Sequence, residues 1–284
     1  MDSIVLQFLA APFAVSLILT GIHAYLGVHV VERGVIFVDL SLAQIAALGA
    51  TIALLLPFSD GDPHGSSVYW VSLAFTFVGA AIFSSIHGGH KARIPQEAII
   101  GICYAVASAA AIVAMSKSTS QAEHLRDMLV GNILAVSWND VMHTALLYGA
   151  VGAFHYAFRR RFLLISIDPA GAAAQGISVR LWDFLFYASF GLVVTSSVAV
   201  AGVLLVFCYL IVPSVAAMLY AESIGKRLAI GWSMGTLVSL LGIWLSLVWD
   251  LPTGATIVVT FGGVLLLMAA VRPFFRRSAN QNEE

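Results

Sequence analysis

Charge is what this chain has least of. Of 284 residues only 14 are Lys or Arg and 15 are Asp or Glu, 10% in all, against roughly 25% in an ordinary soluble domain. With 60% hydrophobic residues and a formal net charge of −1, this scarcity excludes a core wrapped in a solvated charged surface, and nucleic acid as a partner. Cysteine is almost missing as well. Cys103 and Cys208 both fall inside apolar runs, so no disulfide framework is implied and both read as small packing residues. No Gly-x-x-x-x-Gly-Lys-Ser/Thr loop occurs, which argues against an ATP site in this chain. A nucleophile elbow and a His-Glu-x-x-His helix are also lacking, leaving no strong enzyme signature.

Long apolar runs fill the chain instead. A membrane span needs about 20 such residues, and nine runs answer to that: 4–28, 34–58, 68–86, 97–115, 138–158, 181–199, 202–221, 228–249 and 255–271. The first has no positive leader and is too long for a signal-peptide core, so it is read as a span. The block from Leu181 to Glu222 has almost no polar break. A turn near Gly202 splits it into two helices; one span plus a short re-entrant helix is the alternative. The expected fold is an all-α polytopic bundle of eight or nine spans, a single membrane domain over 1–284.

Basic residues orient the bundle. Lys91 and Arg93, Arg159 to Arg161, Arg180, Lys226 and Arg227, and Arg272, Arg276 and Arg277 fall on one side when nine spans alternate, and that side is the cytoplasm. The N-terminus is then outside and the C-terminus inside. Asp60, Asp62 and His64, the segment 117–127 and Asp250 to Gly254 face the other way.

Within the cytoplasmic segment 159–180 lies Asp168-Pro169-Ala170-Gly171-Ala172-Ala173-Ala174-Gln175-Gly176-Ile177-Ser178. Small and helix-compatible, it predicts a short helix fenced by arginines. Asp168 suits the N-cap, Pro169 the first helical position and Gly176 the stop. Small residues at helical spacing, Ala43, Ala46, Ala47 and Ala50 in the second run and Ala105, Ser108, Ala109 and Ile112 in the fourth, predict close helix contacts in lipid.

Ionisable residues inside spans are costly and therefore candidates for function. Asp39, with Gln44 further along the same run, is the first. Asp140 and His143 share a helix face and are a candidate cation-binding pair, although Asp140, in Trp138-Asn139-Asp140, equally suits a helix cap. His87 and His90 could receive an emerging ion, and His64 with Asp60 and Asp62 could face a delivery protein. His23, His29 and His155 have no partner legible in sequence and are read as satisfied by neighbouring helices.

The order of motifs resembles the membrane subunit of ATP-binding-cassette importers for divalent metals, the zinc and manganese permease family. The motifs are Val31-Glu32-Arg33-Gly34 running to Phe37 and Gly49, Ile94 to Ile102, Leu129 to Leu134, Asp168-Pro169 with Gly176-Ile177, Gly202 to Val206 with Pro213, Ala216 and Ala217, and Asp250 to Ala255. The resemblance covers nearly the whole chain. It implies a permease in the bacterial inner membrane, paired with a second copy of itself, driven by two cytoplasmic ATPase subunits and fed by an extracytoplasmic metal-binding protein. Zinc or manganese, and after them iron, would be the ion carried, with no cofactor held by this chain. It also implies that Asp168, Pro169, Ala172, Gln175, Gly176 and Ile177 form the coupling helix seated on the ATPase. Many relatives carry Asp-Ala-Leu-Ser-His-Ala in the second span. Aligning Phe37 and Gly49 puts Leu40 at the Asp and Gln44 at the His, with Asp39 one residue earlier, about 100° around a helix. The competing expectation is a gradient-driven transporter or channel without an ATPase, which calls for mid-membrane charges in both halves and an internal repeat; no convincing repeat is present.

Overall fold

In the computed structural model the described residues are 3–56, 65–85, 94–116 and 133–281, with side chains described between 7 and 273. His87, His90, Asp60, Asp62, His64 and most of the 129–134 motif lie outside them. Nine long helices run through the described residues: α1 (Ser3–Glu32), α2 (Val38–Leu55), α3 (Ser66–Ser85), α4 (Gln96–Met115), α5 (Trp138–Ala157), α8 (Val179–Ala201), α9 (Val203–Met218), α10 (Ile224–Trp249) and α11 (Thr253–Gln281). Two short ones, α6 (Arg159–Ile167) and α7 (Pro169–Ala174), join α5 to α8. Each long helix answers to one predicted run. In lipid a helix satisfies its own backbone, so apolarity and length alone select this structure.

Seven of the nine are both long and apolar enough to cross a membrane. The exceptions have separate causes. α5 opens on Trp138-Asn139-Asp140 and carries two histidines. α9 has only 16 residues, about 24 Å at the rise of an α-helix against a hydrocarbon core of about 30 Å. The split at Gly202 is real: α8 ends at Ala201, α9 begins at Val203, and Gly202 between them has φ +78° and ψ 158°. Only glycine holds that conformation without strain, so the block with almost no polar break becomes two helices, the second of them short.

α2 is the hub. It packs against α3, α4, α8 and α9, and α1 packs against α5, α9 and α10. The close contacts use small residues, as membrane helices require. A Cβ on Gly27 would stand 2.0 Å from the Leu210 carbonyl oxygen of α9, and one on Gly49 would stand 2.9 Å from the Ser72 backbone of α3. Hydroxyls add bonds between helices: Ser72 donates to the Ala46 carbonyl at 2.8 Å, Thr76 meets Thr195 at 3.0 Å, and Tyr209 meets Ser239 at 2.8 Å.

The predicted small face of α2 is buried at Ala43, Ala46, Ala47 and Ala50. The one on α4 is not. Ala105 and Ala109 are exposed and Ile112 is 62% exposed, whereas Ile100, Ala107 and Ala111 carry the packing. Small residues occur on both sides of α4, so their spacing alone could not say which side meets α2.

Candidate functional site

The links among the helix ends gather the arginine clusters at one end of the bundle. Glu32 ends α1 and pairs with Arg227 in the first turn of α10. The next residue, Arg33, reaches the α6–α8 region. Arg159, Arg160 and Arg161 open α6 and Arg180 stands in the first turn of α8, all exposed.

The helix α7 is built at this end as its residues dictate. The Asp168 carboxylate accepts the Gly171 N–H at 2.8 Å, and Pro169 occupies the first helical position, where its missing N–H costs nothing. At the far end Gly176 turns with φ +77°. Its N–H donates to the Ala173 carbonyl at 3.0 Å, and the Ile177 N–H donates to the Ala172 carbonyl at 3.1 Å. These two bonds close the helix as a Schellman motif. Ala172 is fully buried and Ile177 half-buried, while Asp168, Pro169, Gln175 and Gly176 are exposed. A capped six-residue helix therefore presents a surface of small residues to whatever lies outside the bundle.

Behind α7 is a polar assembly that spans four helices. Arg33 Nη1 donates to Asp183 of α8 at 2.6 Å, and the two side chains are 7% and 4% exposed. Arg33 Nε donates to the Ser166 hydroxyl of α6 at 2.9 Å, and the guanidinium lies 4.0 Å from the Phe186 ring centroid, a cation–π contact. Ser166 spends its own proton on the Phe162 carbonyl at 2.8 Å. It must then accept from His29 Nδ1, 2.8 Å away. His29 thus carries its proton on Nδ1 and leaves Nε2 bare. The same reasoning holds for His155, whose Nε2 meets Ser189 at 2.8 Å while Ser189 donates to the Leu185 carbonyl at 2.7 Å. His155 Nδ1 is the bare nitrogen. Both rings stand edge to face with Tyr25, at 4.8 and 5.5 Å between centroids. Of the three histidines read as satisfied by neighbours, only His23 has a polar group within reach of both nitrogens, the Leu19 carbonyl at 2.9 Å and Ser197 at 3.2 Å; His29 Nε2 and His155 Nδ1 have no partner.

The candidate ion ligands are not brought together. Asp39 sits in the first turn of α2, 2% exposed, with Oδ1 unpartnered, as is the nearby Ser41 hydroxyl. Gln44 is buried too, but five residues on along the helix, about 140° around it from Asp39. Asp140 and His143 are exposed at the start of α5. Asp140 accepts the Ser137 N–H at 2.9 Å and the Ser137 hydroxyl at 2.7 Å, and its own N–H returns a bond to Ser137 at 3.3 Å. This is a capping box, the second of the two roles that the sequence left open for Asp140. No cluster of three or more metal-ligating His, Cys, Asp or Glu exists among the described residues.

Ser166 and Asp183 were not singled out in the sequence, and Arg227 only as one of the charges that orient the bundle. An ionisable residue just inside an apolar run was a signal for Asp183, but its pairing with Arg33, 150 residues away, has no local trace. Gln96, in the motif at the start of α4, donates to the Tyr187 hydroxyl at 3.0 Å and to the Phe83 carbonyl at 3.1 Å. It ties α4 to α3 and α8 at the same end.

A manganese transport system membrane protein of Listeria innocua is 29% identical over 197 residues, 67% of this chain and 70% of its own. A probable iron transport system membrane protein of Haemophilus influenzae is 26% identical over 89% of both chains. In fold, the chain matches PsaBC from Streptococcus pneumoniae, solved in complex with Fab, with a TM-score of 0.75 at 23% identity over 92% of this chain and 90% of that one. The profile of the ABC 3 transport family matches residues 5–272, helices α1 to α11 with the capped α7 at their centre, and the chain belongs to that family.

Proposed function

We propose that this chain is the membrane-spanning permease subunit of an importer that carries a divalent transition metal inward as a pair of identical chains. Separate cytoplasmic ATPase subunits drive it and an extracytoplasmic metal-binding protein supplies it. The observation that carries this reading is α7, a rigidly capped, exposed helix of small residues at the arginine-rich end of a bundle that has no ATP-binding loop of its own. A protrusion of that kind can pass a rigid-body movement of a partner into the spans. With the arginines inside, the N-terminus is outside and the membrane is the bacterial inner membrane.

The relatives are named for manganese and for iron, and the chemistry of α2 favours manganese first. The unpartnered groups in its first turn are oxygens, on Asp39 and Ser41, and Gln44, which points elsewhere on the helix, adds an amide rather than an imidazole. Carboxylate and carbonyl oxygens suit manganese, while zinc is better served by the imidazole that Gln44 replaces. Asp39 is the residue we place on the ion's route. Asp140 we assign to the helix cap.

The deciding experiment is ATP hydrolysis by the chain copurified with its ATPase in lipid, with the metal-binding protein present, titrated with manganese, zinc and iron. Stimulation by the manganese-loaded protein, lost in Asp39→Asn, is the expected result. Stimulation by the binding protein whatever the metal would keep the coupling role and overturn the cargo. An ATPase that never copurifies would overturn the importer.

A further inference from the structure

We propose that Glu32 and Arg33 are positioning residues that carry the movement of α7 into the transmembrane helices, α1 serving as the relay. The inference rests on the reading of α7 as the ATPase contact. Its own ground is the placement of the bonds. Ser166 lies two residues before the α7 N-cap, and Asp183 lies in the opening turns of α8, just after α7 ends. One guanidinium therefore holds both stems of α7, through Nε at 2.9 Å and Nη1 at 2.6 Å. It cannot follow one stem without the other, so α7 and the end of α1 move together or the bonds break.

Glu32 makes the second arm. Adjacent residues on a helix point about 100° apart, so Glu32 faces away from α6 and α8 and reaches Arg227 of α10. Arg227 also donates from Nε to the Ala221 carbonyl at 3.0 Å, which fastens the turn between α9 and α10. Two consecutive side chains thus join the stems of α7 to the entry of α10 and the exit of α9. Gly34, with φ +66°, turns the backbone away immediately afterwards, so neither arm is shared with α2.

A buried ion pair is a poor device for stability alone, since apolar side chains of the same volume often serve as well. Its use is geometric: it admits one arrangement of its partners. Apolar packing would hold these helices together yet let α6 and α8 slide past α1.

The test is the ratio of metal transported to ATP hydrolysed by the complete complex in vesicles, for Arg33→Lys, Asp183→Asn, Glu32→Gln and the pair Glu32→Gln with Arg227→Gln. Lysine keeps the charge but offers one nitrogen in place of the rigid fork whose Nε and Nη1 reach Ser166 and Asp183 separately. The expected result is an ATPase that still copurifies and turns over, with the transport ratio down about tenfold in Arg33→Lys, the scale of a typical coupling free energy. The double variant should lose no more than Glu32→Gln alone. If Arg33→Lys does not accumulate, Arg33→Met combined with Asp183→Leu decides, because apolar side chains of similar volume keep the packing without the bonds; Asp183→Asn, whose amide oxygen still accepts from Nη1, is the control that should keep the ratio. An unchanged ratio in Arg33→Lys or in that apolar pair, beside a wild-type complex that transports, overturns the brace and leaves the importer standing. A wild-type chain that binds no ATPase overturns both.

Discussion

At the scale of single residues, the glycines of this bundle differ by what stands opposite them. Gly27 faces the backbone of α9 so closely that an added Cβ would lie 2.0 Å from the Leu210 carbonyl oxygen and 2.4 Å from the Ser214 hydroxyl oxygen, whereas Gly149 in α5 has no atom within 4 Å of that position. A carbonyl in a helix cannot rotate aside, so Gly27→Ala must push α1 and α9 apart. The expected cost is about 1–3 kcal/mol, the range for overpacking. Gly149→Ala should be neutral or stabilising by up to about 1 kcal/mol, from helix propensity alone. Thermal unfolding of both variants in detergent checks this, and equal midpoints would contradict the contact. Arg33 shows the same dependence on surroundings. Its sequence neighbours mark only the end of an apolar run, and its role comes from Asp183 and Ser166.

At the scale of elements, α7 is where local chemistry and structure agree most closely. Asp168, Pro169 and Gly176 take the cap, first-turn and stop positions that their side chains and backbone favour, so this helix was legible residue by residue. Gly176→Val should therefore break it from one end. A left-handed backbone costs a residue with a Cβ about 1–2 kcal/mol, and relieving it means losing the bonds to Ala172 and Ala173. The expected phenotype is ATP turnover that persists while metal uptake fails; uptake at the normal rate would count against α7 as the coupling element. α5 teaches the opposite lesson. The spacing of Asp140 and His143 allowed a ligand pair and a helix cap alike, and the residue that builds the cap with Asp140 is Ser137, because an orphan helix N-terminus needs an acceptor.

At the scale of the whole molecule, the arginines and the capped α7 stand at one end, with the α5 start and the α10–α11 turn at the other. In that turn Ser246 donates to the Leu251 carbonyl at 2.6 Å and meets Thr253 at 2.5 Å. With the arginines in the cytoplasm, a cysteine at Asn139 should react with a membrane-impermeant maleimide added outside intact cells. One at Arg160 should react only after permeabilisation, both in a background of Cys103→Ala and Cys208→Ala. The reverse pattern would invert the threading and the transport direction with it.

Apolar length settled from the residues alone that this is a helical membrane bundle of eight or nine long helices, because in lipid a backbone has no alternative partner. The caps of α7 and the break at Gly202 were equally local. Tertiary structure alone decided which face of α4 is covered, which nitrogens of His29 and His155 stay bare, and that Glu32 and Arg33 grip three separate helices. Those outcomes depend on groups 133 to 195 residues away for the ion pairs and their serine. Periodicity and propensity describe a residue's own helix, while a buried charge takes its meaning from the helix that comes to meet it.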